Sequence, residues 1–286
     1  MRQLLLGLDI GSSSIKASVV DAATGKSLAA TQSPSEEMEM LAPQPGWAEQ
    51  DPEMWWQNVI ISATSALKKS AARADEVKAI GISYQMHGLV LVDKAQKVLR
   101  PAIIWCDSRA VAIGEQAYVT LGQNYCLERL LNSPGNFTAS KLKWIKDQEP
   151  HVFEKVSKIM LPGDYIAMRL SGDIATTDTG LSEGIFWDYA TRSISEKLLQ
   201  HYGFDRVLIP DVVPVFGLQG SVNKQAAEAL GIHAGVKIAY RAGDQPNNAF
   251  SLNLLKRGET AATAGTSRVL YTVTENEQVV ITQFGK

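Results

Sequence analysis

The chain has 286 residues, of which 45% are apolar and 20% charged, and 28 basic against 30 acidic side chains give a net charge of −2. This is an ordinary globular composition, so it excludes disorder as the main state, and the length allows one large domain or two smaller ones. The near-neutral charge supplies no basic surface field of the kind that binds a phosphate backbone, so nucleic acid is not an expected partner.

The chain opens with the pattern of an antiparallel sheet. The segments LLLGLDI, IKASVVD and SLAATQS are short β-type runs separated by turns rich in Gly, Ser and Asp. After a Pro- and Gly-bearing loop, Asp51 and Pro52 form a typical helix start, with Asp51 as the cap. One face of this predicted helix carries apolar side chains at helical spacing, namely Trp56, Val59, Ile60, Ala63 and Leu67.

The middle of the chain passes from strands to helices. KAIGISY and GLVLVD are β-type runs separated by Gln-Met-His-Gly and are expected to form another hairpin, and an apolar run at 102–105 follows. Helical patterns then cover residues 115–131, 139–148, 151–159 and 162–170. Asp164 follows Pro-Gly and is expected to support the start of the last of these helices. A further helix is predicted within 220–235.

The end of the chain echoes its beginning. A strand at 235–242 runs into Gly243 and Asp244, a helix is predicted at 246–255, and GETAATA and RVLYTVT form a hairpin. Like the first hairpin, it has an apolar strand, a small Gly/Ser/Thr turn and a β-branched strand. The pattern indicates a duplicated fold. We therefore expect one domain at 1–243 and the beginning of a second, incomplete one at 244–286.

Neither a membrane segment nor a disulfide framework is expected. The longest apolar runs are far shorter than the roughly 20 residues that a spanning helix needs, and no signal-peptide cleavage site follows the first of them. A cytoplasmic location is the default expectation. The two cysteines, Cys106 and Cys126, are predicted to be free, buried thiols.

Two glycine- and serine-rich turns are candidates for phosphate binding. Turns of this kind direct several backbone N–H groups and hydroxyls at one point, which suits a phosphate chain, although most are simply hairpin turns. Asp9 precedes the first turn, where a carboxylate either holds Mg²⁺ through waters or caps the turn. The chain has neither a Walker-type phosphate loop nor a G-x-G-x-x-G motif, which disfavours those nucleotide folds.

Other polar residues stand at predicted strand ends. Asp244 is the best candidate for a general base, although an N-cap for the following helix explains its position equally well. Polar groups beside an aromatic ring suit sugar recognition, and the candidates are Gln85, Met86, His87, Trp47, Trp105, Asp107 and Arg109. The four histidines have no paired spacing, which disfavours a metal site built on them.

Seven segments in this order resemble the N-terminal domain of the FGGY carbohydrate kinases, most closely the xylulokinases. They are GLDIGSSSIK, GWAEQDPEMWW, GISYQMHGLVLVD, IIWCDSRA, FTASKLKWIKDQEP, LPGDYIAMRLSG and AGDQPNNAF. The resemblance implies an actin-like, ribonuclease H-like α/β fold with a mixed sheet and helices on both of its faces. It also implies ATP-dependent phosphorylation of D-xylulose to D-xylulose 5-phosphate. A kinase for ribulose, gluconate or glycerol, and an inactive sugar-binding fragment, remain the alternatives.

The resemblance also implies roles for individual residues. Asp244 matches the catalytic base, and Asp9 the acidic residue near Mg²⁺ and the γ-phosphate. The sugar contacts are Gln85, Met86, His87 and Gln245, with Trp105, Asp107 and Arg109 in supporting positions. The ATP-binding turns are Gly11, Ser12, Ser13, Ser14 and Lys16, and Gly265, Thr266 and Ser267. The expected partners are the sugar, ATP and a second copy of the chain in a homodimer.

Two features depart from the family pattern. Family members are much longer and include a glycine-rich adenosine-binding segment that this sequence lacks. Arg268 follows the second turn where the family has a small residue. It would either crowd that turn or add a phosphate contact.

Overall fold

The computed structural model describes residues 2–264 and 268–275. Its strands are numbered in chain order: β1 (Leu4–Ile10), β2 (Ile15–Asp21), β3 (Ser27–Ser33), β4 (Glu49–Gln50), β5 (Val77–Tyr84), β6 (Val90–Val92), β7 (Ala102–Ile103), β8 (Lys158–Met160), β9 (Ala175–Thr177), β10 (Trp187–Asp188), β11 (Ser193–Ile194), β12 (Asp211–Val213), β13 (Phe216–Ser221), β14 (Lys237–Gly243), β15 (Thr260–Ala264) and β16 (Arg268–Thr272).

The α-helices of the described residues are numbered in the same way. They are α1 (Pro52–Lys69), α2 (Val111–Leu121), α3 (Gln123–Tyr125), α4 (Thr138–Gln148), α5 (Pro150–Phe153), α6 (Pro162–Ser171), α7 (Asp178–Glu183), α8 (Glu196–Tyr202), α9 (Lys224–Leu230) and α10 (Asp244–Ser251). None of these helices is long and apolar enough to cross a bilayer.

A mixed sheet of six strands organises the described chain, in the order β13-β14-β5-β1-β2-β3. The central strands β1, β5 and β14 are parallel, while β2, β3 and β13 pair antiparallel to their neighbours. The register sets Ile10 and Gly243 on either side of Tyr84. The carboxyl ends of three parallel strands therefore lie level at one edge of the sheet.

Helices lie against both faces of this sheet, with α1, α6 and α9 on one face and α10 at the β5–β14 end of the other. Side chains at alternate positions of β1, Leu4, Leu6 and Leu8, are buried in a core shared with α1, α6 and α9. On the opposite face, Tyr240 lies against Gly81, and its hydroxyl donates to Asn247 Oδ1 on α10 at 2.9 Å. A second core, formed largely by α2, α4 and α8, lies beside the sheet.

The local signals at the beginning of the chain are confirmed. The first three strands form the predicted antiparallel meander, and the Asp51 side chain accepts from Glu53 N at the start of α1. Trp55 and Trp56 are buried in the core. The last hairpin pairs β15 with β16, in the same antiparallel manner as β1 with β2.

Some predicted elements differ from the structure. The helix expected at 115–131 is broken at Gly122, whose φ is 95°, and continues as α3 and a π-helix at Cys126–Leu130. The helix expected at 151–159 ends at Phe153. Strand β8 follows this helix and pairs with β6, so the hairpin predicted between β5 and β6 does not form. The helix predicted within 220–235 is confirmed at Lys224–Leu230, whereas the one predicted at 246–255 begins at Asp244 and ends at Ser251. Short apolar runs do not distinguish a helix from a buried strand by periodicity alone, which explains the error at β8.

Candidate active site

A pocket of about 840 Å³ opens at the sheet edge where β1, β5 and β14 end. It brings together twelve of the residues selected from the sequence: Asp9, Gly11, Ser12, Ser13, Ser14, Lys16, Gln85, Met86, His87, Trp105, Asp244 and Gln245. Four residues that the sequence did not single out, Ser83, Asn247, Asn248 and Ser251, complete the lining. Twelve of the predicted residues thus converge on one cavity.

Asp244 is the first residue of α10, and Gly243 holds the N-cap position. The cap alternative is therefore wrong for Asp244. Burial raises the pKa of its carboxyl to about 6, with a further upward contribution from the charge of Asp9, against the Gln245 N–H and the Lys16 charge. A carboxylate with a pKa near 6 is ionised at neutral pH and still basic enough to take a proton in a reaction.

Asp9 and Asp244 line the same pocket, and Asp9 forms an ion pair with Lys16. Lys16 Nζ lies 3.3 Å from Asp9 Oδ2, and the two side chains are 59% and 38% exposed. An ion pair as open as this contributes little to stability, so both groups can be reached by a ligand. Asp9 thus places a negative group, and Lys16 a positive one, beside the glycine- and serine-rich turn.

The described residues contain no group of three or more His, Cys, Asp or Glu side chains that could hold a metal. Mg²⁺ does not require such a group, because it keeps several waters and binds through one or two carboxylates together with substrate phosphates. A half-exposed Asp9 carboxylate at the pocket lining fits that mode of binding. Asp9 is therefore the residue that could hold Mg²⁺ here.

The turn between β1 and β2 is held in one shape by its neighbours. Gln50 Nε2 donates to Ser12 O at 2.7 Å, and Met38 N donates to Ser13 O at 2.8 Å. A Cβ added at Gly11 would lie 2.8 Å from Ser14 O, so only glycine fits this turn. Trp105, which is half-exposed, donates from Nε1 to Ser12 Oγ at 3.2 Å.

His87 occupies an unusual backbone position just beyond β5, with a φ of 61°. Lys141 Nζ donates to His87 O and Ile104 O, both at 2.9 Å, and Phe137 packs edge-on against the imidazole ring. Burial lowers the pKa of His87 to about 4, so the ring is neutral at physiological pH. His87 Nδ1 lies 3.0 Å from Glu183 O, and a carbonyl can only accept, which leaves Nε2 as an acceptor.

Three supporting residues came from outside the sequence prediction. Lys141 is completely buried, and this burial lowers its pKa to about 8. Gln50 braces the Ser12 turn and also accepts from Trp55 Nε1 at 3.0 Å. The Glu183 carboxyl accepts a hydrogen bond from the His87 backbone N–H. Lys141 and Gln50 stand inside segments that resemble the family, which is the only signal in the sequence that could have pointed to them.

Asp107 and Arg109 do not line the pocket. Arg109 Nε and Nη2 donate to the buried Asp107 carboxylate at 2.9 and 2.6 Å, and Nη2 also lies 2.7 Å from Glu49 Oε1. The Asp107 carboxylate also accepts from Ala48 N at 2.7 Å. Asp107 and Arg109, predicted as sugar-binding residues, instead form a buried network that supports the loop carrying Trp105.

Trp47 is likewise not an open sugar platform. The Arg109 guanidinium lies 3.8 Å from its ring centre, and Trp144 packs edge-on against the ring. Both cysteines are free, but Cys106 is exposed rather than buried. The predicted second phosphate turn, Gly265, Thr266 and Ser267, lies outside the described residues.

The N-terminal domain of the FGGY family of carbohydrate kinases matches residues 4–251. The xylulose kinase of Escherichia coli strain K12 is 34% identical over 273 residues, which are 95% of this chain and 54% of that protein. The chain spans about half the length of the curated relatives that it matches.

Solved structures agree on the fold. A xylulose kinase from Rhodospirillum rubrum superposes with a TM-score of 0.89 at 24% identity, over 97% of this chain and 56% of that one. A "xyloylose kinase" from Brucella ovis gives a TM-score of 0.83 at 30% identity, over 94% and 54%. The mixed sheet with helices on both faces is therefore the actin-like α/β fold that the sequence predicted.

Proposed function

The chain belongs to the FGGY family of carbohydrate kinases, and from that premise we propose that it is the sugar-binding part of a kinase that phosphorylates D-xylulose with ATP. The product would be D-xylulose 5-phosphate. The observation that carries the proposal is that Asp244, residues 85–87 and the turn at residues 11–14 all line one pocket. The xylulose kinases among its relatives support the choice of sugar.

Asp244 is proposed as the catalytic base. Its pKa of about 6 suits a group that takes the proton of a sugar hydroxyl as that oxygen attacks the γ-phosphorus of ATP. Proton removal and attack are concerted in this step, and ADP leaves on the side opposite the incoming oxygen. Met86, His87, Gln85 and Gln245 line the same pocket and are proposed to orient the hydroxyls of the sugar.

The phosphate chain is proposed to lie along the first turn. Residues 11–14 provide a fixed backbone and three hydroxyls, and Lys16 provides a positive charge close by. Mg²⁺, when bound near Asp9, would neutralise charge on the phosphate oxygens. Gly265, Thr266 and Ser267 are proposed as the second phosphate turn, and the domain boundary is proposed at residue 244.

ATP turnover is a proposal for the whole kinase, because this chain covers about half of its relatives. The test is a coupled ADP-release assay with D-xylulose, D-ribulose, D-gluconate and glycerol. It is run on the 286-residue chain and on a longer chain continued with the C-terminal half of a family member. Calorimetric titration of each sugar into the shorter chain measures binding separately.

We expect the longer chain to release ADP fastest with D-xylulose, and the 286-residue chain to bind that sugar. Faster turnover of another sugar would overturn the substrate, and no turnover with any sugar would overturn the kinase function. Sugar binding by both chains without turnover would instead favour the non-catalytic alternative.

A further inference from the structure

Glu183, the last residue of α7, contacts His87 in two ways. Its carboxyl Oε1 accepts from the His87 backbone N–H at 3.4 Å, and its main-chain carbonyl lies 3.0 Å from His87 Nδ1. These two residues are 96 positions apart in the sequence. A single residue of α7 therefore fixes both the backbone and the ring of the residue that follows β5.

The other carboxyl oxygen of Glu183 lies against the end of β14. A Cβ added at Gly243 would stand 2.7 Å from Glu183 Oε2 and 2.5 Å from Met86 Cγ. Both distances are too short for real atoms, so only a glycine allows this approach. The Glu183 carboxyl therefore occupies the space between His87 and the backbone that carries Asp244.

The charged and titratable groups around Glu183 come from several elements. Burial raises the pKa of its carboxyl well above the ordinary value, and the negative charges of Asp164 and Asp244 add to this, against the His87 N–H and the Tyr84 hydroxyl. Arg241 pairs with Asp164, and Lys141 with the His87 carbonyl, so neither cation bonds to Glu183 in the described structure. The pKa of this carboxyl is therefore raised with neither of these cations to oppose the effect of burial.

The Glu183 carboxyl contributes a shape and a hydrogen-bond acceptor at this location. It accepts from the His87 N–H and fills the gap beside Gly243. Because its raised pKa disfavours the charged form, an amide of the same shape is expected to serve as well.

We propose that Glu183 is a positioning residue, which holds Met86 and His87 at a fixed distance from Asp244. The side chains proposed to contact the sugar and the proposed base then face the same substrate molecule. This rests on the proposed sugar-binding function. None of the sequence patterns pointed to Glu183, which stands in a loop-like stretch of small polar residues.

The test compares Glu183→Gln, Glu183→Ala and the control Ser182→Ala. Ser182 is adjacent on α7, but its hydroxyl bonds to Tyr189 at 2.6 Å and does not line the pocket. The first measurement needs no ligand: nitrogen-15 NMR of the His87 side chain in the 286-residue chain. The second is calorimetric titration of D-xylulose into each variant. The third is the pH profile of the longer, turnover-competent chain.

Glu183→Gln should preserve the His87 spectrum, bind D-xylulose within about threefold of the original chain, and leave the acid limb of the pH profile unchanged. Glu183→Ala should shift the His87 signals and weaken binding about tenfold, because a buried N–H loses its acceptor. Ser182→Ala should resemble the original chain in all three measurements.

Two results would overturn the proposal. One is a Glu183→Ala spectrum in which His87 is unchanged. The other is a Glu183→Gln variant as impaired as Glu183→Ala, or with its acid limb moved to lower pH. The first would deny the role of shape and acceptor, and the second would show that the charge of the carboxylate acts on Asp244. If the original chain bound no sugar, the proposed function would fail, while the His87 spectra would still decide the placement of Glu183.

Discussion

At the scale of single residues, Asp244 determines the expected pH dependence. A base must be ionised to accept a proton, so activity is lost when pH falls through its pKa. With that pKa raised to about 6 by burial, kcat/KM for D-xylulose should fall about tenfold per pH unit below 6 and be level between 6.5 and 8. Initial rates over pH 4.5 to 8, with a check of stability at each pH, measure this. A profile level down to pH 5 would remove Asp244 from the role.

Replacing the same carboxyl separates catalysis from binding. Asp244→Asn keeps the size of the side chain and removes its basicity, so we expect turnover to fall by about 10²-fold or more. Sugar affinity, measured by calorimetry, should change little. Asp178→Asn is the matched control, because Asp178 is an exposed aspartate at the start of α7. Equal loss in both variants would contradict the assignment.

Arg109 tests the difference between a structural and a sugar-binding role. Its side chain is 1% exposed, and Arg109→Met would leave the buried Asp107 without its ionic partner. Breaking such a pair costs about 3–5 kcal/mol of the free energy of unfolding. Denaturant unfolding should show this loss, while D-xylulose affinity stays within about threefold in folded protein.

Arg129→Met is the control for that substitution. Arg129 makes a similar two-bond pair with Asp188, but its side chain is 36% exposed, so the loss of stability should be smaller. If Arg109→Met instead lost affinity at unchanged stability, the sugar-binding role inferred from the sequence would be restored.

At the scale of elements, the turn between β1 and β2 depends on Gly11. An alanine there would push its Cβ against Ser14 O, a backbone atom that cannot move without reshaping the turn. In the longer chain, Gly11→Ala should raise the KM for ATP about tenfold or more, and sugar affinity should be nearly unchanged. Ser13→Ala removes only an exposed hydroxyl and should have a small effect. Equal effects of the two variants would mean that the hydroxyls, rather than the backbone shape, bind phosphate.

Some elements could be predicted from the sequence, and others could not. The first three strands and α1 carry their own signals, since alternation, turn residues and the Asp51 cap all lie within a few residues of each other. Strand β8 carries no such signal. It becomes a strand because β6, almost 70 residues earlier, offers it a partner, and pairing at that separation leaves no local pattern.

At the scale of the whole molecule, the site residues also divide into those with a local signal in the sequence and those without one. Asp9, His87 and Asp244 could be predicted because each lies at or just beyond the end of a recognisable strand, and parallel strands end at one edge. Glu183 and Lys141 reach His87 from helices that are far away in sequence. Conversely, Arg109 stands near a strand end but turns into a buried network, and only packing decides that.

The two hydrophobic cores of the described chain share three short segments. Val90 and Val92 belong to the core under the large sheet, while Leu89 and Leu91 belong to the helical core. Likewise, Ile104 and Met160 belong to the core under the large sheet, while Ile103 and Ile159 belong to the helical core. Because successive residues of a strand point to opposite sides, each of these segments fills both cores. Neither core can open without disturbing the other.

We therefore expect the described chain to unfold as one cooperative unit, despite its size. Leu142→Ala in the helical core should lower the free energy of unfolding by about 2–5 kcal/mol, as such cavities do. Hydrogen exchange should then show equal loss of protection in α4, which carries the substitution, and in β5 of the large sheet. Ile61→Ala, at a position on α1 that is 52% exposed, is the control and should change little. Loss confined to α4 would mean that the shared segments do not couple the two cores.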